Sequence, residues 1–562
     1  MSSASSPHEV VKRRWLGFLI WQSIVSTAVF LIPSVILLLP GRTLATGVLS
    51  FIVFDLSLLL LSVSLFLLSS PHPDPSASLP DLASVFLKAC LRLVIGGRGD
   101  YSLDLRRRVG KSFSKCFFLF ICGVSGFLST TAVCEGAVSG GRMRLAGLGI
   151  NGVIFGFVYG VHYLYHMRWI LKFPIIQAIQ KLWPVDATIL TIIKMLIFFI
   201  LQRPFFYSFK MGLSPSFRQA LKLSTVAFFP SFLVIIFLSD DFKSRRSIGM
   251  FILYLVNLYV GVSVISFAWE LSIHLLQVVL TRRCCFAPSR GSAAAESNPS
   301  EVLLIALEQS SPGSLLKYLA YLDLCMVSEN NVEPWRRAAF FEETGDTYRR
   351  VISLCLRPLE HLTSKLVEGL DGLSVDKSDF FSQQLNPSTG INVDSDLHAA
   401  LNDLQLYSLC SRTVAALTAR SHSEDRYGVA QLTSCNVAVV STLLSALLSV
   451  EACMGKKTSS LPSGSTGPAS IRWVTPSTAR HDIGAHALAI KKRGGLLHAK
   501  AYAMADILRT SIYEIVYAFH ADMQSALKAS ALDKSWVAAG KPLYGTREIL
   551  VSCLKLLINF RV

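Results

Sequence analysis

The sequence predicts an all-helical (all-α) fold, in which a polytopic membrane domain of about six transmembrane helices is followed by a soluble α-helical C-terminal domain. Hydrophobic residues make up 52% of the 562 residues and charged residues only 16%, whereas about a quarter of an ordinary soluble chain is charged. Residues 1–280 contain apolar runs near the roughly 20 residues that a helix needs to cross a bilayer. Residues 301–562 instead show the apolar spacing of amphipathic helices. We therefore expect two domains, joined by a linker over residues 281–300.

Six apolar runs of the first domain are expected to cross the membrane. Pro33 and Pro230 lie inside two of them, and membrane helices tolerate such kinks. A further apolar stretch, Ile189–Leu201, is interrupted by Lys194, and we interpret it as an interfacial or re-entrant helix. The six predicted spans are Leu16–Leu39, Ala45–Leu68, Cys116–Val133, Leu145–Tyr165, Leu223–Leu238 and Ile248–Trp269.

The net charge of +17 belongs mainly to the membrane domain: residues 1–280 carry 25 Lys and Arg against 11 Asp and Glu, and residues 281–562 carry 29 against 26. With six spans, 19 basic residues before the tail share one side of the bilayer and 6 the other. The positive-inside rule then places both termini on the cytosolic or pore side. The pattern suits contact with anionic lipid headgroups better than nucleic-acid binding. The basic residues assigned to this topological and lipid-facing role are Lys12, Arg13, Arg14, Arg106, Arg107, Arg108, Lys111, Lys115, Arg282 and Arg283.

The C-terminal domain, residues 301–562, is expected to be helical and to face the cytosol or the pore. Two stretches, 371–396 and 454–495, are rich in Ser, Gly, Thr, Pro and Asp and are expected to be mobile loops. Gly428–Val450 has 23 residues without a charge, but eight of them are polar. We therefore interpret it as a buried core helix rather than a further span. The predicted helices are Glu301–Glu308, Ser314–Cys325, Trp335–Leu370, Leu397–Ala419, Gly428–Cys453, Leu497–Ala529 and Arg547–Ile558.

Three glycines spaced four residues apart, Gly152, Gly156 and Gly160, mark a helix-packing face in the fourth predicted span. Small residues at this spacing let another helix approach closely, and packing within the protein is favoured over a dimer contact. Asp55 lies inside the second predicted span, where an acid is a candidate for function. A transporter would show several such groups, so a role in helix packing or at the interface is favoured for Asp55.

No catalytic, metal or cofactor site is predicted. His162 and His166 are four residues apart, but no Cys, Asp or Glu stands near them to complete a metal shell. The Tyr and Trp residues around them indicate an aromatic interfacial belt instead. His398 and Asp403 have the HxxxxD spacing of glycerolipid acyltransferases, but the other blocks of that family are missing. The sequence therefore predicts a protein that is not an enzyme.

Two places are candidates for covalent modification. Cys284 and Cys285 follow Arg282 and Arg283 directly after the last predicted span, a position at which S-palmitoylation occurs; an ordinary buried thiol is the equal alternative. Thr475, which precedes Pro476 in the second predicted loop, is a minimal proline-directed phosphorylation site. The 12 cysteines show no paired spacing of the kind that zinc and redox motifs use.

Three blocks of the C-terminal domain, together with the six-span architecture, resemble the nuclear-division-cycle transmembrane nucleoporin family. The first block is Trp335–Phe341 with the helix that follows it, the second is Glu424–Gln431, and the third is Ala503–Phe519. The second block is the closest at residue level. The residues that match the family's tail motif are Trp335, Arg336, Asp425, Arg426, Tyr427, Gly428 and Gln431.

The resemblance implies a structural membrane nucleoporin of the nuclear envelope. Such proteins anchor the nuclear pore complex in the pore membrane and support its assembly and insertion, and so serve nucleocytoplasmic transport of protein and mRNA. The partners it implies are other nucleoporins, including the WD-repeat nucleoporin ALADIN and an RRM-containing membrane-binding nucleoporin, with no direct nucleic acid and no cofactor. Two alternatives stay open. A multi-span transporter would need a polar pathway and internal repeats, and an endoplasmic-reticulum lipid enzyme would depend on His398 and Asp403.

Overall fold

A computed structural model describes residues 7–37, 44–72, 103–134, 142–173, 203–238, 248–288, 291–293, 298–330, 333–375, 397, 399–458 and 496–559. These residues are mostly helical and contain no strand; an isolated bridge joins Ser70 to Ile170. The all-helical fold class is therefore confirmed. The chain divides into two compact units between Arg282 and Arg283, and each is described here by itself.

The membrane unit is built from long helices that pack mainly against their neighbours in sequence. The last of them, α6, contacts each of the other five described helices and is buried along most of its length. A helix with neighbours on all sides must be apolar all round, which explains why its sequence lacks a polar stripe. The helices are α1 (Pro7–Leu37), α2 (Leu44–Leu68), α3 (Leu103–Cys134), α4 (Arg142–Tyr165), α5 (Arg203–Leu238) and α6 (Ile248–Thr281).

Six helices of the described residues are long and apolar enough to cross a membrane, judged by length and composition. Five belong to the membrane unit and overlap five predicted spans. The predicted span Leu223–Leu238, which has 16 residues and forms the second half of α5, is not among them. Ile189–Leu201 lies outside the described residues. The six candidates are Glu9–Leu31, Thr46–Leu68, Val109–Cys134, Gly147–Tyr165, Tyr254–Thr281 and Cys435–Met454.

The sixth candidate, Cys435–Met454, belongs to the C-terminal unit. That unit contains α7 (Glu301–Gln309), α8 (Leu315–Glu329), α9 (Pro334–Ala338), α10 (Asp346–Val375), α11 (Leu404–Glu424), α12 (Val429–Leu432), α13 (Cys435–Thr458), α14 (Leu496–Ala518), α15 (His520–Lys528), α16 (Leu532–Trp536) and α17 (Arg547–Asn559). Helix α13 lies at its centre and contacts α10, α11, α12, α14, α16 and α17. Ser441 and Ser445 of α13 accept hydrogen bonds of 2.8 Å from the backbone N–H groups of Ala538 and Tyr544. These contacts fit a buried core helix whose polar residues bond within the protein.

Several predicted boundaries are wrong. Helix α6 continues to Thr281, beyond the predicted end at Trp269, because the residues that follow stay mostly apolar. The predicted loops 371–396 and 454–495 begin too early, since helices α10 and α13 continue to Val375 and Thr458. The remaining residues of both loops lie outside the described residues.

Three predicted tail helices are each divided into shorter pieces. A 3₁₀ turn and Gly345, with φ of +73°, separate α9 from α10. Ser434, with φ of +56°, separates α12 from α13, and Phe519 separates α14 from α15. Of these three breaks, only the one at Ser434 combines a side chain with positive φ, which is uncommon for a residue other than glycine. The helical spacing of the sequence does not reveal this break.

Candidate functional site

The three spaced glycines of α4 form the contact between α3 and α4. A Cβ at Gly152 would overlap the carbonyl of Gly126, and one at Gly156 would overlap the carbonyl of Cys122. At Gly160, an added Cβ would lie 2.9 Å from a methyl carbon of Leu119. The two helices therefore approach at backbone distance, as small residues permit in membrane helices. In this structure the glycine face is used within the chain.

Hydroxyl groups join other pairs of membrane helices. Ser57 of α2 lies 2.6 Å from the hydroxyl of Ser129 in α3, and its carbonyl accepts a bond of 2.8 Å from Ser125. The Asp55 carboxylate accepts a bond of 2.5 Å from the Ser26 hydroxyl of α1. Asp55 thus joins two helices, which is the packing role favoured by the sequence.

Glu270 is a buried acid of α6 that the sequence analysis missed. Its two carboxylate oxygens accept bonds of 2.7 and 2.5 Å from Arg168, and the Tyr159 hydroxyl donates a further bond of 2.8 Å. Glu270 is 2% exposed, and a carboxylate in such a place needs partners of this kind. The sequence feature that could have identified Glu270 is its position as a single acid in the apolar stretch that follows Ile248.

Of the three N-terminal basic residues, Arg13 and Arg14 contact other residues of the protein, and Lys12 is exposed. Arg14 donates bonds of 2.9 and 2.7 Å to the carbonyls of Val279 and Leu280 and also bonds the carbonyl of Arg282. It therefore caps the C-terminus of α6, where a cation is favourable. Arg13 pairs with Glu9, and Lys12 is exposed. The prediction that Arg14 faces lipid is therefore corrected, because its guanidinium donates hydrogen bonds to backbone carbonyls of the protein.

The basic residues of α3 are described only in part. Lys115 lies 5.3 Å from the ring centre of Trp169, a cation–π contact. Lys111 is exposed. The side chains of Arg106, Arg107 and Arg108 lie outside the described residues.

Four charged residues form a buried ionic cluster where the C-terminal unit begins: Arg283, Asp323, Glu333 and Arg336. Asp323 accepts bonds of 2.9 Å from Arg283 and 2.6 Å from Arg336, and a third of 2.9 Å from the backbone N–H of Phe286. Glu333 accepts bonds of 3.0 and 2.8 Å from the same two arginines. The lipid-facing role expected for Arg283 is therefore corrected: its charge is neutralised inside the protein.

The cluster fixes the protonation of Asp323. Burial alone would raise the pKa of this carboxyl, but the charges of Arg336 and Arg283 and their hydrogen bonds hold it below its ordinary value. Asp323 is 0% exposed. The aspartate is therefore ionised at neutral pH, and the cluster has two cations and two anions.

Cys285 contacts this cluster, which bears on the predicted palmitoylation. Its sulfur accepts a hydrogen bond of 3.3 Å from Arg336. Burial, followed by the charge of Asp323, raises the pKa of the Cys285 thiol to about 12, so little of the reactive thiolate forms at neutral pH. Cys284 is half-buried as well, and acylation of the pair stays a prediction.

One ion pair joins the first and second of the blocks that resemble the family. Arg337, next to Trp335 and Arg336, donates bonds of 2.7 and 2.6 Å to the two oxygens of Glu424. This bidentate pair joins the first and second blocks across 87 positions. Sequence analysis did not single out Arg337, which is 2% exposed.

The second block forms a tight turn with one buried and one exposed side. Asp425 accepts a bond of 2.8 Å from the Ala430 N–H, and Gly428 has φ of +66°. Arg426 and Gln431 are exposed, as is Tyr427, at 56%, and the neighbouring Leu432 reaches 81%. We call the outer side of this turn the tail-motif surface, defined by Arg426, Tyr427, Gln431 and Leu432.

The third block packs beside the second. Phe519 meets the His422 ring edge-on at 5.0 Å, and Trp536 at the same distance. Helix α14 also packs along α11, which ends in Glu424. The three blocks, distant in sequence, thus converge at the C-terminal end of α11.

The remaining residues considered for chemistry are not assembled into a site. His398 and Thr475 lie outside the described residues, and Asp403 accepts a bond of 3.0 Å from Tyr318. His162 and His166 lie with ring centres 4.4 Å apart. Within the described ranges no group of three His, Cys, Asp or Glu side chains could hold a metal ion.

Comparison with known families gives a match over part of the chain. Residues 148–389 match the family model described as nucleoporin protein Ndc1-Nup. The match begins in α4 and includes α5, α6, the ionic cluster and α10; the second and third blocks lie beyond it. No curated protein matches the chain.

Proposed function

We propose that the chain, whose residues 148–389 match the family model of nucleoporin protein Ndc1-Nup, is a pore-membrane nucleoporin of this type and anchors the nuclear pore complex in the pore membrane. In this role it supports pore assembly and insertion, and through them the transport of protein and mRNA. The family match is the observation that carries the proposal. The architecture supports it, since candidate membrane spans precede a separate helical unit suited to docking.

The ionic cluster suits an anchor. Arg283 is two residues beyond the end of α6 and is already bonded to Asp323 and Glu333. Arg336 and the backbone of Phe286 share the same acids. The first residues of the C-terminal unit are therefore bonded to helices of that unit as soon as the unit begins.

The tail-motif surface is the part of the C-terminal unit that we propose for contact with soluble nucleoporins. It combines an exposed aromatic and an exposed aliphatic side chain with an arginine and a glutamine. Aromatic residues and arginine are the types that most often carry binding energy in interfaces. By family resemblance the partners proposed are ALADIN and an RRM-containing membrane-binding nucleoporin.

The localisation of the full-length chain tests this function. A fluorescent tag on the chain, expressed from its own locus, is expected to mark a punctate nuclear rim. A signal confined to the plasma membrane or spread evenly through the reticulum would refute the proposed anchor.

Membrane topology gives an independent test. We propose that both termini face the cytosol or pore, because basic residues concentrate on that side of a six-span arrangement. Protease added to sealed microsomes is then expected to degrade the whole of residues 283–562, including α13. A protected fragment containing Cys435–Met454 would instead show that α13 crosses the membrane, and a protected lumenal marker controls for intact vesicles.

A further inference from the structure

Asp55 of α2 is a membrane acid that has no cation beside it in the described part of the chain. One oxygen of its carboxylate accepts the bond of 2.5 Å from Ser26 of α1. The side chain is half-buried, and no ion pair joins it to a described residue. Glu270, the acid inside the candidate span of α6, is by contrast 2% exposed and pairs with Arg168. The charge of Asp55 therefore remains to be neutralised.

Asp55 lies deep within its own helix. The candidate span Thr46–Leu68 begins nine residues before it and ends thirteen residues after it, which is roughly 14 Å and 20 Å along the helix. The neighbouring helix gives a similar depth. Trp15 of α1 packs against Phe66, with ring centres 4.4 Å apart, and Ser26 lies eleven residues further along α1, roughly 16 Å from that end. The short side chain of an aspartate does not reach the headgroups over such distances.

The surface around Asp55 is suited to a further helix. Ile52 and Leu59 are three and four residues from Asp55 and hence its neighbours on α2, and they are 54% and 41% exposed. On α1, Ser23 is exposed and Thr27 is half-buried. Small and hydroxyl-bearing residues allow membrane helices to approach closely. We call this surface the Asp55 face, defined by Ser23, Thr27, Ile52, Asp55 and Leu59.

Charge complementarity selects the occupant of the Asp55 face. An ionised acid that faces hydrocarbon is costly, and such acids pair with a cation at the same depth. The described candidate spans of the membrane unit contain Lys or Arg only within the first seven residues of Glu9–Leu31 and of Val109–Cys134. The same spans of a second copy therefore offer no cation at the depth of Asp55. A basic residue inside a spanning helix of another protein supplies one.

We propose that the Asp55 face binds a transmembrane helix of a different protein, and that a Lys or Arg of this helix pairs with Asp55. Ile52 and Leu59 pack against the apolar side chains of that helix, while the Ser26 hydroxyl holds the carboxylate from within the chain. Polar contacts of this kind join membrane helices where apolar contact alone gives no preference over lipid. The proposal depends on the membrane insertion of α1 and α2 and not on the chain's role at the pore.

Photo-crosslinking of the full-length chain in its native membranes tests the proposal. A benzophenone amino acid at Ile52 is expected to give an adduct with a spanning peptide that contains Lys or Arg, identified by mass spectrometry. Asp55→Asn keeps an oxygen for the Ser26 hydroxyl but removes the charge, and should lower this adduct about fivefold or more. The same probe at Phe157 of α4, which is 54% exposed, is the control and is expected to give lipid adducts.

A second variant separates the proposed contact from packing within the chain. Ser26→Ala removes the internal hydrogen bond of Asp55 but leaves its charge, so it is expected to retain the Ile52 adduct. Equal loss of the adduct in Ser26→Ala and Asp55→Asn would show that Asp55 only joins α1 to α2, and would overturn the proposal. The proposal is also overturned if the Ile52 probe captures only lipid, a differently tagged second copy, residues of the same chain or a peptide without Lys or Arg. An adduct that persists in Asp55→Asn would overturn it as well.

Discussion

Replacing Asp323 by Asn is expected to destabilise the C-terminal unit by about 3 kcal/mol or more. The change leaves the Arg283 and Arg336 guanidinium groups with one carboxylate between them in a buried site, and breaking a buried ion pair typically costs about 3–5 kcal/mol. Urea-dependent proteolysis of the full-length chain in detergent measures the effect. The pKa of Asp323 is lowered in the folded chain, so its contribution is present above the unfolded value, about 3.9, and is lost as the pH falls through the lower folded value.

Asp346→Asn is the matched control for this prediction. Asp346 pairs with Arg349 at 3.5 Å, but both side chains are more than half exposed, at 73% and 61%. An exposed pair of this kind contributes under about 1 kcal/mol. Equal, small effects of the two substitutions would show that the ionic cluster does not stabilise the unit.

Gly156→Leu is expected to disrupt the membrane unit. Any Cβ at this position overlaps the backbone carbonyl of Cys122, so α3 and α4 would have to separate. Overpacking in a close contact typically costs about 1–3 kcal/mol, and a backbone overlap with no flexible side chain to move places this change at or above the upper end. The melting temperature and size-exclusion profile of the detergent-solubilised full chain report the loss.

Gly147→Leu, in the same helix, controls for the substitution itself. A Cβ at Gly147 meets no atom within 4 Å, so this variant should elute and melt like the original chain. A Gly156→Leu variant that kept its fold but changed oligomeric state would contradict the intramolecular contact and indicate a dimer interface.

The sequence predicted the features that depend on local composition. Apolar runs are enough to place α1–α4, because predominantly apolar stretches of about twenty residues have few alternatives to a membrane helix. The spacing of Gly152, Gly156 and Gly160 predicted a packing face, but only the structure identifies α3 as its neighbour. The second half of α5 is equally apolar, yet its position in a long helix that begins with basic residues was not evident.

The features that depend on distant pairs could not be predicted. Glu270 meets Arg168 across 102 positions, and Arg337 meets Glu424 across 87. Arg14 was assigned to lipid because basic residues before a span ordinarily mark topology, whereas its guanidinium binds the end of α6. A basic side chain can contact lipid headgroups, cap the end of a helix or pair with an acid, and the local sequence does not distinguish these interactions.

Helix α13 shows the same limit for hydropathy. Its composition meets the requirement for a span, and its serines alone do not exclude one. Its contacts favour a core helix of the C-terminal unit. Helices of that unit pack around α13, and its serine hydroxyls accept hydrogen bonds from the segments that connect them. Burial inside a helical unit and burial in a bilayer select the same residue types.

The central claim, that this chain is a membrane anchor of the nuclear pore, is tested most directly by two-colour super-resolution imaging. The tagged full-length chain and a ring component of the pore scaffold are imaged in the same nuclear envelope. The account predicts that the tagged chain forms puncta that coincide with the scaffold rings, and that Gly147→Leu leaves this pattern unchanged. A well-folded chain distributed through the reticulum, without enrichment at the rings, would contradict it.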